Sequence, residues 1–121
     1  MHSRIFYHAR LPKSVSNAKL DMHIPVYTNR NNPVFTIGFH YDEANNVLFI
    51  GWAKPNKGEK FNKKFGISVV NSRLELMLQH YPDLNYGDKL PHVIKDNMKF
   101  YIGRALNYFK SIDETTCKFF I

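Results

Sequence analysis

The stretch Val34-Phe35-Thr36-Ile37-Gly38-Phe39-His40-Tyr41-Asp42, then Glu43-Ala44-Asn45-Asn46, then Val47-Leu48-Phe49-Ile50-Gly51-Trp52-Ala53 decides the fold of this chain. Phe35, Ile37, Phe39 and Tyr41 occupy every second position, the spacing at which a strand returns side chains to one face. Val47 to Ala53 is almost continuously apolar, with Leu48, Ile50 and Trp52 on one side. The tetrapeptide between the two runs is short enough to join antiparallel neighbours, so the whole reads as a β-hairpin.

Working outward, Ile5, Tyr7, Ala9 and Leu11 alternate with Phe6, His8 and Arg10, which predicts a first strand over Ile5 to Leu11. Lys19 to Thr28 carries Met22, Ile24 and Val26 on alternate positions, and Pro25 restricts a strand there to an edge or a bulge. Asn29 to Pro33 is a turn. Beyond the hairpin, Lys54 to Lys64 holds Pro55, Gly58 and five lysines, a basic loop. A helix is predicted from about Asn62, with Ile67, Val70, Leu74, Met77 and Tyr81 on its buried stripe and Pro82 after its end. Asp83 to Lys89 connects to a second helix whose first turn takes Pro91 and whose stripe is Ile94, Met98, Tyr101, Ile102, Ala105 and Phe109. The tail, Thr115 to Ile121, is apolar and β-prone, suited to one more strand or to a neighbouring subunit. Strands first and helices after them give an α+β domain over 1–121: an N-terminal antiparallel sheet of about four strands with two C-terminal helices packed on it.

Composition narrows the function. The chain has 121 residues, 44% of them hydrophobic and 15% aromatic, enough for one dense core. A core of that size leaves room for a homo-oligomer that buries more. One cysteine, Cys117, cannot close an intramolecular disulfide, and no signal-peptide pattern opens the sequence, so a reducing cytoplasm is the expected location. No run approaches the roughly 20 apolar residues of a membrane span. Seventeen Lys and Arg against ten Asp and Glu give a net charge of +7, which favours an anionic partner.

Motifs for catalysis or metal are not found in the sequence. The six histidines are scattered, with no HxxxH or CxxC pair for zinc. Lys57-Gly58-Glu59-Lys60-Phe61 lacks the spacing and the hydroxyl of a P-loop. Cys117, beside Lys118, Phe119 and Phe120, reads as a packed thiol. We therefore expect neither an enzyme nor a cofactor.

The informative run is Phe61-Asn62-Lys63-Lys64-Phe65-Gly66-Ile67-Ser68-Val69-Val70-Asn71-Ser72-Arg73-Leu74. A helix N-terminus has free amide donors and partial positive charge, so Lys63 and Lys64 there oppose folding and favour holding an anion. Gly66 in the first turn costs roughly 1 kcal/mol against Ala, which a closely approaching ligand or backbone would explain. The same residues also fit a solvated lysine run with a glycine near a fraying end. Arg73 borders the buried stripe and can reach a groove. Arg104, beside Phe100, Tyr101 and Tyr108, can pair with phosphate while the rings stack on a base, or simply lie over the core.

The block from Trp52 through Leu74, about a fifth of the chain, resembles a theme in small phage proteins: Phe-x-Lys-Lys-x-Gly, then Arg-Leu seven residues after the glycine. Phe61, Lys63, Lys64, Gly66, Arg73 and Leu74 carry the resemblance. Ile67 stands where the theme has a basic residue, and Ser72 where it has a second glycine. Length and element order are similar to the phage Thoeris anti-defence sponges. The resemblance implies a non-enzymatic homo-oligomer that sequesters a cyclic ADP-ribose isomer or a cyclic oligonucleotide in a pocket between subunits, in the host cytoplasm. The expected ligand-binding set is Phe61, Lys63, Lys64, Gly66, Asn71, Arg73, Phe100, Tyr101 and Arg104. Two other partners fit the charge: nucleic acid, held through its phosphate backbone, or an acidic host protein that the chain inhibits.

Overall fold

Alternation along 34–53 folds as the expected hairpin, in a computed structural model that describes residues 4–10, 33–55 and 59–121. The strands are β1 (Arg4–Arg10), β2 (Pro33–Asp42), β3 (Val47–Ala53) and β4 (Lys118–Phe120), and the helices are α1 (Lys63–His80) and α2 (His92–Tyr108). The sheet order is β1-β2-β3-β4. The first three strands pair antiparallel, with Ile5 opposite Phe39 and Ile37 opposite Trp52. Asn46 closes the hairpin in the left-handed region at φ 51°, which asparagine tolerates better than most residues.

The fourth strand comes from the tail. It pairs parallel to β3, Leu48 against Phe119, so the sheet is mixed rather than wholly antiparallel. A parallel pair needs a long crossover, and the chain between Ala53 and Lys118, with both helices in it, supplies one. The strand expected over Lys19 to Thr28 lies outside the described residues.

Both helices pack on the sheet, but on opposite faces. Phe35, Ile37, Phe39 and Tyr41 of β2 join Leu48, Ile50 and Trp52 of β3 to bury Ile94, Met98, Ala105 and Phe109 of α2. Val47, Phe49 and Ala53 turn the other way, against Val70, Leu74 and Met77 of α1 and Phe120 of β4. Double coverage explains why every residue of β3 is buried and why its sequence is a continuous apolar run.

Two glycines set how close α1 comes. Gly38 and Gly51 are cross-strand partners. A Cβ at Gly38 would lie 2.5 Å from Val70 Cγ1, and one at Gly51 would lie 3.2 Å from Leu74 Cγ and Val70 Cγ1. The helix rests on bare backbone there. Asn62 caps α1, its side chain accepting from the Phe65 amide at 3.0 Å. Pro91 immediately precedes α2, as its cap residue.

Among the described residues, no helix is long and apolar enough to cross a membrane. No group of His, Cys, Asp and Glu among them is arranged to hold a metal ion.

Candidate anion-binding cleft

The chain leaves β3 at Ala53 and arrives at the Asn62 cap of α1 through the lysine-rich loop. Between the loop and the first three turns of α1 lies a cleft of about 170 Å³. Lys54, Pro55, Glu59, Lys60 and Phe61 line it from the loop side, and Phe65, Gly66, Val69 and Arg73 from the helix. Three cationic side chains, one carboxylate and two aromatic rings thus share one concavity. Phe65 is 62% exposed, an unusual setting for a phenylalanine that the cleft places beside the start of the helix.

Arg73 holds the far end of this cleft. β4 pairs with Val47, Leu48 and Phe49, and farther along the outer edge of β3 has no strand beside it among the described residues. Arg73 reaches over that edge: its guanidinium donates to the Trp52 carbonyl and lies with Cζ 5.3 Å from the centre of the indole ring. A guanidinium has five N–H donors in a planar fork, so one used on a carbonyl leaves others for a ligand oxygen. Trp52 itself is buried on the α2 side, with its indole N–H unpartnered among the described residues.

Packing accounts for Gly66. A Cβ there would sit 2.3 Å from Thr36 Oγ1, so glycine lets the helix start seat on β2. Thr36 is fully buried, and its hydroxyl lies 3.1 Å from His8 Nδ1. The His8 ring meets Phe61 edge-on, with 5.6 Å between centres, and steadies the wall of the cleft from beneath. Burial, and then the charge of nearby Lys63, hold the His8 pKa below its ordinary value.

The nine residues expected to bind ligand are therefore sorted into four places. Phe61, Gly66 and Arg73 line the cleft. Lys63 and Lys64 are exposed on the first turn of α1, outside the lining, where they add positive potential to a helix end with no acidic residue in its first turn. Asn71 faces the β1 edge instead: its Oδ1 accepts from Arg4 at 2.9 Å, while Arg4 also donates to His40 Nδ1 at 3.0 Å and pairs with Glu75. That network ties α1 to the first strand and places Asn71 outside the lining of the cleft. Burial, followed by the Arg4 charge, lowers the His40 pKa.

Phe100, Tyr101 and Arg104 belong to α2, across the sheet from the cleft. Arg104 rests over Tyr7, Cζ 4.5 Å from the ring centre, and 5.8 Å from that of Phe100. Tyr101 packs against Tyr7 and Phe35. A ligand in the α1 cleft cannot touch these three in the same protomer. Helical spacing alone could not reveal this, because both amphipathic stripes look alike until each is assigned a face.

Sequence reasoning missed Lys54, Glu59, Lys60 and Phe65 as lining residues. The lysine run is visible in the sequence, but that Lys54 and Lys60 line a cleft against α1 is a tertiary placement that no local spacing encodes. No protein-family model, curated protein or solved structure matches the chain.

Proposed function

We propose that the chain is a non-enzymatic binding protein for an anionic nucleotide, held in the cleft at the start of α1. The observation that carries this reading is the convergence of Lys54, Lys60 and Arg73 with Phe61 and Phe65 in one concavity. Cationic side chains at hydrogen-bonding reach suit phosphate oxygens, with Arg73 offering the planar donor geometry. The exposed Phe65 ring, with half-buried Phe61 beside it, suits a base, which stacks on any aromatic face. Glu59 is an acceptor for ribose hydroxyls or an exocyclic amine. Lys63 and Lys64, with the helix end, raise the local potential without contacting the ligand. Cations gathered in a cleft, rather than spread along a surface stripe, favour a compact ligand over a nucleic-acid backbone.

Together with the Phe61 to Leu74 motif, this supports capture of a cyclic nucleotide immune signal, a cyclic ADP-ribose isomer or a cyclic oligonucleotide, as a phage anti-defence sponge does. Isothermal calorimetry with both ligand classes tests it, followed by mass spectrometry of what the loaded protein releases on heating. A saturating heat with one class and its recovery intact are expected. Absence of heat and of any thermal shift with every one of them refutes the reading, and recovery of fragments makes the chain a hydrolase.

A further inference from the structure

On the outer face of α2, Asp96, Phe100 and Arg104 follow one another at four-residue steps, forming one ridge. All three are exposed, Phe100 by 61%. Among the described residues the Phe100 ring meets Tyr101 edge-on, 5.2 Å between centres, and Arg104 on one side, and it still stands in water at the middle of the helix, with an acid one turn before it and an arginine one turn after. Arg104 covers only part of the ring, and a Cβ at the adjacent Gly103 would find nothing within 4 Å.

We infer that this ridge is a self-association surface whose partner is a second copy of the chain, with the two α2 helices antiparallel across a two-fold axis at Phe100. Such an axis exchanges the residue one turn after Phe100 with the residue one turn before it. Arg104 of each copy therefore faces Asp96 of the other, twice over, while the two Phe100 rings meet on the axis. Ridges of four-residue spacing on both helices interdigitate in the commonest mode of helix packing. The bare backbone at Gly103 leaves room for the opposite ring. Self-complementarity about a two-fold is what an isologous dimer interface requires. Within one chain, Asp96 and Arg104 are two turns apart, about 12 Å along the axis, too far to pair with each other.

Charge sets this partner apart from nucleic acid. Lys99 and Lys95 project about 100° or more round the helix from Phe100, away from Arg104. The ridge itself carries Asp96, which repels phosphate. The dimer buries the α2 face and leaves the α1 cleft of each copy open across the sheet, so this inference stands or falls independently of the nucleotide reading.

Sedimentation equilibrium of the full chain tests it with four proteins: wild type, Asp96→Arg, Arg104→Asp and the double charge swap. Wild type is expected to be dimeric, and each single variant to weaken the dimer by about tenfold or more, since like charges then face each other. The swap is expected to return Kd to within about threefold of wild type, because it restores both pairs with signs exchanged. Circular dichroism confirms that each variant is folded, and rescue by the swap cannot arise from loss of folding. A wild type that stays monomeric at about 100 µM overturns the inference. A swap no tighter than either single variant also overturns it, as does a ridge that binds single-stranded oligonucleotide while the chain stays monomeric.

Discussion

Gly66 and Arg73 show how one residue's role is fixed by what it touches. Gly66 has its Cβ position 2.3 Å from Thr36 Oγ1, so Gly66→Ala should destabilise the fold by about 1–3 kcal/mol through overpacking. Urea denaturation measures it. Adding Thr36→Ala should recover part of that loss, because the two substitutions share one contact. If Gly66→Ala instead unfolds at the wild-type midpoint but no longer binds nucleotide, the glycine serves the ligand rather than the packing. Arg73 was identifiable from its place at the border of a helical stripe. Its contact with the Trp52 carbonyl was not, since it joins two elements and no local spacing encodes it.

At the scale of elements, α1 sets two opposed demands against each other. Lys63 and Lys64 occupy the first turn, where the helix dipole disfavours cations and no acid offsets them. Lys63→Glu and Lys64→Glu should each stabilise the protein by about 0.3–1 kcal/mol while weakening nucleotide binding. Thermal unfolding and calorimetry on the same samples check both signs, and a variant that gains stability with unchanged affinity removes these lysines from function. The seat of α1 on the sheet makes a second prediction. Gly38→Ala, with 2.5 Å to Val70 Cγ1, should cost about 1–3 kcal/mol, and Gly51→Ala, with 3.2 Å of clearance, should cost less. Equal urea midpoints for the two would contradict the packing described. The strand and helix stripes were legible because they follow local periodicity: Val70, Leu74 and Met77 are buried as their spacing requires, and so are Ile94, Met98, Ala105 and Phe109. Legible too was the apolar run of β3. What could not be read was that the two helices take opposite faces, which separates Arg104 from Arg73, because sidedness is a property of the crossover and not of either helix.

The described residues form a mixed sheet between two helices, with Lys54, Lys60, Lys63, Lys64 and Arg73 around the first three turns of α1 and Asp96, Phe100 and Arg104 exposed along α2. Two histidines make its stability depend on pH. His8 and His40 are both held below the ordinary value of 6.5, mainly by burial, so as the pH falls through 6.5 the unfolded chain takes up protons before the folded one does. Stability should therefore decline between pH 7 and pH 5, above the range where carboxylates titrate. Urea midpoints across that range check it, and His8→Gln with His40→Gln should flatten the slope; an unchanged slope would place the effect elsewhere. On the proposed function, a phosphate-bearing ligand sits beside Arg73 and not beside Arg104. Trp52 is the chain's one tryptophan and lies under the Arg73 guanidinium, so its fluorescence reports on the cleft. Titration of wild type, Arg73→Ala and Arg104→Ala with cyclic ADP-ribose isomers and cyclic oligonucleotides is the most direct measurement. A saturable change with the same midpoint is expected in wild type and Arg104→Ala, with affinity lower by about tenfold or more in Arg73→Ala. No saturable change with any ligand, or an equal loss in Arg104→Ala, would contradict it.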